Sequence, residues 1–329
     1  MLEAEVIIVG AGPAGSACAW KLNQNGMQTV LLDKRTFPRR KLCAGWITPG
    51  VLKNLEIQRD EYPHGILTFK RLFFHIRGKT FRVPTCQYSI RRTEFDHWML
   101  KRAAVPLQLH TVQQVRKEDG YYIVDNSYRS KYLVGAAGTY CPVYRSFFKE
   151  SHLRSQQRLI VAIEEEFKYD YHDANCHLWF FDNNLPGYAW YVPKADGYLN
   201  VGIGGKFLAL KNRGQTIRQH WDYFIARLEK LSMVKGHRYR PRGHNYYLRQ
   251  PVPAGRFNNA YIVGDAAGLA TLDLGEGIGP AIESGILAAE SILTGGRFSE
   301  RSVTRYSLHH ILWAGLKRTI IGRAFSNFH

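Results

Sequence analysis

Two apolar runs, joined by a glycine turn and a helical pattern, organise the start of the chain. Val6 to Val9 form a short continuous apolar run, the pattern of a buried strand. The run enters Gly10-Ala11-Gly12-Pro13-Ala14-Gly15, a helical pattern follows as far as Asn25, and Gly26 stops it. A second apolar run, Thr29 to Leu32, ends at Asp33. Near the other end, Tyr261 to Val263 predict another buried strand that stops at Gly264-Asp265. A loop with Gly275, Gly277 and Gly279 then opens a long helix. Between these regions the period changes to two. "RLIVAIEEEF", "HLWFFDN" and "YLNVGIG" alternate as strands of a largely antiparallel sheet. In "PGYAWYVPK" (186–194) the same alternation puts Tyr188, Trp190 and Val192 on one face, Ala189 and Tyr191 on the other.

The first of these patterns carries chemistry. G-x-G-x-x-G stands here with a strand before it, a helix after it and an acidic residue ending the next strand, the context of dinucleotide binding. Gly10 permits the tight turn, Gly12 lets a pyrophosphate approach backbone N–H groups, and Gly15 lets helix and strand pack. The helix N-terminus stabilises the phosphates through its free N–H groups and its dipole. Asp33 follows the first glycine at the distance expected of a carboxylate that accepts ribose hydroxyls. At this point NAD(P) and FAD both remain open.

Composition narrows the class. At 329 residues the chain is long enough for one large or two smaller domains, and 45% hydrophobic against 22% charged residues describes a globular protein rather than a disordered one. No uncharged apolar run approaches the roughly 18 residues of a membrane-spanning helix. The chain goes straight into a strand, so no secretory leader is expected. The cysteines at 18, 43, 86, 141 and 176 are odd in number and never spaced C-x-x-C, which fits reduced thiols. The histidines show no ligand spacing, and no metal is expected. Charge is the unusual feature: Lys+Arg 45 against Asp+Glu 27, formally +18, with dense basic stretches at 34–41, 237–250 and 315–323. Such a field attracts polyanions. No helix-turn-helix, zinc-finger or RNP-type pattern accompanies it, so specific nucleic-acid binding is not expected. A solvated basic surface and attraction to a membrane or anionic partner both stay open.

Residues 260–293, "AYIVGDAAGLATLDLGEGIGPAIESGILAAESIL", resemble the second FAD signature of flavoproteins related to p-hydroxybenzoate hydroxylase and geranylgeranyl reductase. The resemblance implies FAD as the cofactor. It places Asp265 at the ribityl chain and pyrophosphate region, and the loop of Gly275, Gly277 and Ile278 at the flavin pyrimidine edge. A helix N-terminus there suits the negative charge that reduced flavin gains. Gly10, Gly12, Pro13, Ala14, Gly15, Asp33, Lys34 and Arg35 are the cofactor contacts expected from the first signature. Arg92-x-x-Phe95-Asp96 resembles the family R-x-x-F-D, in which the Arg contacts the cofactor, although Arg92 alone reads as a surface charge. Gly135-Ala136-Ala137-Gly138 occupies the place of the family Ala-Asp-Gly motif, so Ala137 and Gly138 are expected at the cofactor. The missing Asp weakens the case for direct reduction by NADPH in the hydroxylase manner.

Lys41-Leu42-Cys43-Ala44-Gly45-Trp46 is similar to the K-x-C-G-G stretch of geranylgeranyl reductases, which puts Cys43, Ala44 and Gly45 beside the isoalloxazine ring. Ala44 and Trp46 depart from the usual glycines and make the loop less open. "PGYAWYVPK" with its trailing N-V-G-I-G resembles the family Y-x-W-x-F-P segment, Val192 replacing the Phe. That motif lines the cavity between substrate sheet and flavin in the family, so Cys43, Tyr188 and Trp190 become the cavity-lining candidates for catalysis. It also resembles the W-x-W-x-I-P of flavin halogenases.

The expected architecture is α/β: a three-layer Rossmann-type FAD-binding domain on a parallel sheet, with an inserted, mainly antiparallel substrate domain. Expected boundaries are 1–65, 91–153 and 252–297 for the FAD-binding domain, 66–90 and 154–251 for the substrate-binding domain, and 298–329 for a C-terminal helical segment. In that segment Leu308, Ile311, Leu312, Leu316, Thr319 and Ile320 form one helical stripe. The resemblance implies an FAD-dependent oxidoreductase that reduces carbon–carbon double bonds of an apolar, isoprenoid or other lipid substrate by hydride transfer. NADPH and a reduced protein carrier both stay open as electron donor. An aromatic monooxygenase is the nearest alternative, and a basic non-catalytic electron carrier is the alternative of another class. A cytoplasmic location with peripheral contact at the inner face of a membrane is expected.

Overall fold

The apolar run at the start of the chain forms the strand Leu2–Val9, whose alternate residues pack on both sides. Ile7 and Val9 enter one core cluster and Val6 and Ile8 another. The structure, a computed structural model, describes residues 1–250, 255–308 and 311. The chain divides into two compact units.

The first unit comprises Met1–Arg40, Thr93–Arg158 and Tyr246–Arg305. Its sheet is parallel at the centre. Leu2–Val9 lies between Thr29–Asp33 and Tyr128–Gly135, with Leu107–Leu109 outside the former and Ala260–Ile262 outside the latter. The short strand Arg256–Phe257 and the hairpin Val115–Glu118/Tyr121–Val124 join antiparallel. Helices Pro13–Gln24 and Ile278–Thr294 cover one face, where Ala14, Cys18, Leu22, Ala281 and Ala288 pack on Val6, Ile8 and Val134. The other face is closed by Tyr122, Tyr144, Phe148 and Leu269.

The second unit comprises Lys41–Arg92, Leu159–Asn245 and the described residues from Tyr306 on. Leu159–Lys168, Tyr198–Lys206, Gly187–Lys194 and Cys176–Phe180 run antiparallel in that spatial order. Leu67–Ile76 adds in parallel to Cys176–Phe180 and turns into Lys79–Ser89. The helix Ile217–Lys230 starts from a capping box of Thr216 and Gln219. It lays Trp221, Phe224 and Leu228 on one face of this sheet, against Ile163, Trp179, Ala189, Tyr191 and Val201. The architecture is therefore the expected α/β one, a parallel Rossmann-type sheet accompanied by a mainly antiparallel one. Among the described residues no helix is long and apolar enough to cross a membrane. Of the stripe expected near the C-terminus, Leu312, Leu316, Thr319 and Ile320 lie outside the described residues.

Candidate functional site

The three glycines of the first turn do different things. Gly10 has φ +109°, and a Cβ added there would stand 2.5 Å from the Ala136 carbonyl oxygen. A Cβ on Gly15 would overlap the Gly10 carbonyl oxygen. Gly12 is unlike both. Its φ is −74°, and an added Cβ would meet only Nη2 of Arg39, at 3.5 Å. The chain's own backbone demands the first and third glycines, and the space at the second is open apart from the tip of Arg39. Gly12 is also the N-cap of helix Pro13–Gln24, whose start has no side-chain cap. Its free N–H groups and the positive end of its dipole are an anion site in waiting.

Charged residues surround this turn. Asp33 accepts the Ala11 N–H through Oδ2 at 2.9 Å and the Arg35 N–H through Oδ1 at 3.0 Å. Lys34 and Arg35 are exposed. Arg39 lies with its guanidinium 4.7 Å over the Phe37 ring and Nη2 3.8 Å from Asp96.

The second glycine signature comes to the same edge. All the central strands run parallel, so Val9, Asp33, Gly135 and Ile262 end together. Ligands bind at such carboxyl ends in open α/β sheets. A Cβ on Gly264 would lie 3.2 Å from the Cβ atoms of both Ala14 and Ala281, so the strand end touches the first turn of both helices. Gly277 caps helix Ile278–Thr294, which has neither a side-chain cap nor an acidic residue in its first turn. Asp265 Oδ1 stands 3.5 Å from where a Gly277 Cβ would be. Gly275, at φ +64°, shapes the loop before it. Exposed Ala137 and left-handed Gly138 follow the strand Tyr128–Gly135 at this edge. Thus Gly10 to Gly15, Asp33, Ala137, Gly138, Asp265, Gly275, Gly277 and Ile278 come together in the first unit.

Cys43, Ala44, Gly45, Arg92, Tyr188 and Trp190 belong to the second unit. Arg92 is only 6% exposed, a buried cation where the residue alone reads as a surface charge. Tyr188 and Trp190 share a face, ring centroids 5.8 Å apart, and Ala189 and Tyr191 turn into the helix-covered core. Trp190 Nε1 donates to Asn200 Oδ1 at 2.7 Å, and Asn200 Nδ2 donates to the Cys43 carbonyl at 3.4 Å. The cysteine loop is thereby tied to the aromatic strand. Gly202 lies opposite both Trp190 and Glu164 in the strand register. A Cβ there would overlap the Trp190 indole and stand 2.7 Å from the Glu164 Cβ, so glycine lets the indole lie across the strand toward Glu164.

Two carboxylates on this face have opposite settings. Lys194, with 0% exposure, donates to the Ile90 carbonyl at 2.8 Å and pairs with Glu166 at 2.8 Å. Arg91 binds Glu166 from the other side at 3.2 Å. Burial opposes charge on Glu166, yet Lys194 and Arg91 outweigh it and hold the carboxyl below its ordinary value. Glu164 is buried as well, at 1% exposure, and its Oε2 has no hydrogen-bond partner among the described residues. Burial pushes its carboxyl up to about 7; Lys194, the Cys43 backbone and Lys41 pull the other way, and Glu166 adds repulsion. Replacing Lys194 by Met takes the buried cation from Glu166, which keeps Arg91, and the ammonium donor from the Ile90 carbonyl, and we expect a loss of about 2–3 kcal/mol near neutral pH. Because the folded carboxyl of Glu166 is depressed, its contribution is present above the unfolded value and fades as pH falls through the folded one. Urea unfolding at about pH 7 and about pH 4 measures both effects, and coincident wild-type and variant midpoints at neutral pH would contradict them.

A separate cavity of about 230 Å³ is lined by His75, Trp179, Asp182 and Arg227. Trp179 pairs with Ala189 in the register and so faces away from Trp190. Phe180 also lines that cavity and packs against Tyr188, ring centroids 5.2 Å apart, so the cavity touches the aromatic face only at the strand end.

Sequence reasoning had not singled out Arg39, Glu164, Lys194 or Asn200. Arg39 sits in a basic stretch that reads as surface charge. A signal for Glu164 did exist: three consecutive glutamates end an apolar strand in a chain short of acids, and alternation turns the first and third inward together.

Fold and geometry define a Rossmann-type dinucleotide-binding protein with an attached antiparallel sheet. Residues 8–69 match the model of the NAD(P)-binding Rossmann-like domain. An uncharacterized protein of Methanosarcina barkeri is 30% identical over 99% of this chain and 84% of its own length. Digeranylgeranylglycerophospholipid reductase 2 of Methanosphaera stadtmanae is 25% identical over 93% and 82%. The solved geranylgeranyl bacteriochlorophyll reductase-like protein of Thermoplasma acidophilum superposes with a TM-score of 0.77 at 22% identity, covering 89% of this chain and 78% of that one. The chain belongs to the geranylgeranyl reductase-like family of FAD-dependent oxidoreductases. The residues fit that cofactor: an uncapped helix start, an open place at Gly12 where a Cβ would otherwise stand, and the Arg39 cation beside it.

Proposed function

We propose that this chain reduces carbon–carbon double bonds of an apolar, isoprenoid substrate. The first unit would hold FAD through Gly10, Gly12, Pro13, Ala14, Gly15, Asp33, Ala137, Gly138, Asp265, Gly275, Gly277 and Ile278. Lys34 and Arg35 flank it, and the family resemblance proposes Cys43, Ala44, Gly45 and Arg92 as further cofactor contacts. When bound and reduced, the flavin supplies a hydride. The protein's own work is to desolvate and orient the substrate and to manage the accompanying proton.

The observation that carries this reading is the face formed by Tyr188 and Trp190, whose indole lies over Gly202, with Gly204 beside them leaving the surface without a side chain. Flat rings and absent side chains suit an elongated hydrocarbon, with the Tyr188 hydroxyl as a polar handle. The formal charge of +18 supports approach to an acidic lipid surface where such a substrate would reside.

The test is anaerobic. Purified protein carrying FAD is reduced chemically and mixed with a geranylgeranyl lipid in detergent. Return of the oxidised flavin absorption, with loss of double bonds by mass spectrometry, is the expected result. Oxygen-dependent NADPH oxidation accelerated by an aromatic compound would favour a hydroxylase instead. Absence of any substrate-dependent reoxidation would favour a simple electron carrier.

A further inference from the structure

Hydride addition to a double bond leaves one carbon in need of a proton. On the aromatic face Glu166 is committed to Lys194 and Arg91. Glu164 has no such commitment. It is 1% exposed, and its Oε2 is shielded from water and has no hydrogen-bond partner among the described residues. It sits beside Trp190 because Gly202 gives up the space between them. The Cys43 backbone hydrogen-bonds the same carboxyl, so it also adjoins the cysteine loop.

We propose that Glu164 is the proton donor of the reduction, a catalytic residue that protonates the carbon next to the one receiving hydride. The proposal rests on the double-bond reductase reading above. One C–H bond forms with the electron pair of the hydride supplied by the reduced flavin. The O–H bond of Glu164 breaks as the second C–H bond forms. The alkene gains two electrons, the flavin loses two, and Glu164 remains as a carboxylate that recovers its proton from water.

The surroundings suit both halves of this cycle. Burial keeps the acid protonated below about pH 7, where a donor is most effective. Lys194 from the aromatic strand and Lys41 from the cysteine loop then stabilise the carboxylate product, against repulsion from Glu166 on its own strand. The Cys43 thiol is the remaining titratable group of the loop. On the adjoining strand His244 is held neutral, its value pushed down to about 3 by burial and by Lys41 and Arg92, and it adds no competing charge.

Glu164→Gln keeps the shape and removes the acid. In single-turnover reoxidation of reduced enzyme by a geranylgeranyl lipid, the wild-type rate should fall as pH rises through about 7. The Gln variant should be slower by about 100-fold or more and lose that pH limb. Flavin content and thermal unfolding should stay unchanged, and Glu164→Asp should restore part of the rate. A readout that needs no turnover is infrared difference titration of the oxidised protein: a protonated-carboxyl band should vanish near pH 7 and be missing from the Gln variant. A wild type that the lipid fails to reoxidise overturns this proposal together with the reductase reading. A wild type that turns over beside an unimpaired Gln variant, or one without the infrared band, overturns this proposal alone.

Discussion

A Gly12→Val variant is expected to be folded and colourless. At φ −74° and ψ −175° the backbone is open to any residue, so valine introduces no strain. The added Cβ meets only the Arg39 guanidinium, at ordinary contact distance. Exchanging Gly for an apolar N-cap costs no more than about 1 kcal/mol. What valine removes is the approach of a pyrophosphate to the start of helix Pro13–Gln24. Losing two charge-assisted hydrogen bonds of about 1.5–3 kcal/mol each weakens FAD binding by about 100-fold or more. Titration of the apoprotein with FAD measures the affinity, and circular dichroism checks the fold. A yellow variant with wild-type affinity would remove Gly12 from the cofactor site.

Gly15→Ala, three residues on and chemically milder, is expected to do the opposite kind of harm. Its Cβ would overlap the Gly10 carbonyl oxygen, a backbone atom inside the buried turn. The neighbouring strand end leaves Gly10 little room to shift, since even a Cβ added to it would stand 2.5 Å from the Ala136 carbonyl oxygen. Overpacking of this kind typically costs 1–3 kcal/mol, and with rigid backbone on both sides we expect about 4 kcal/mol or more. Denaturant unfolding with and without excess FAD is the measurement. A wild-type midpoint would mean the turn relaxes freely. The pair separates two roles that one motif conceals: a methyl group unfolds the protein at one glycine, and a larger group spares the fold at another.

Much of this was legible in the residues because local rules set it. The strand–turn–helix of Val6 to Gln24 follows from an apolar run, a glycine turn and Pro13 at the first helical position, none of which needs tertiary help. The face assignment of Tyr188 and Trp190 followed from strict alternation, and the core around Ala189 and Tyr191 confirms the phase. The acid–base residues were not legible for a complementary reason. Glu164 and Glu166 are the same residue type two positions apart on one strand face, yet one carboxyl is raised and the other depressed. The difference comes from Lys194, Arg91 and the Cys43 backbone, groups far away along the chain. Lys194 stands at the end of an aromatic strand, and only the fold buries it completely.

The strand order also bears on how the protein is made. Ala260–Ile262 pairs with Tyr128–Gly135, so a chain emerging from the ribosome must wait for more than a hundred further residues before that edge is closed. Until then Leu133 and Val134 belong to an unguarded sheet margin. Five of the eight strands of the second sheet, from Leu159–Lys168 to Arg242–Tyr247, lie within the same interval. Such long-range pairing is slow and invites misassociation. The hairpin Val115–Val124 pairs with Tyr128 to Ser130 and leaves Leu133 to Gly135 for the last parallel strand, so that stretch is the part of the margin that stays open longest.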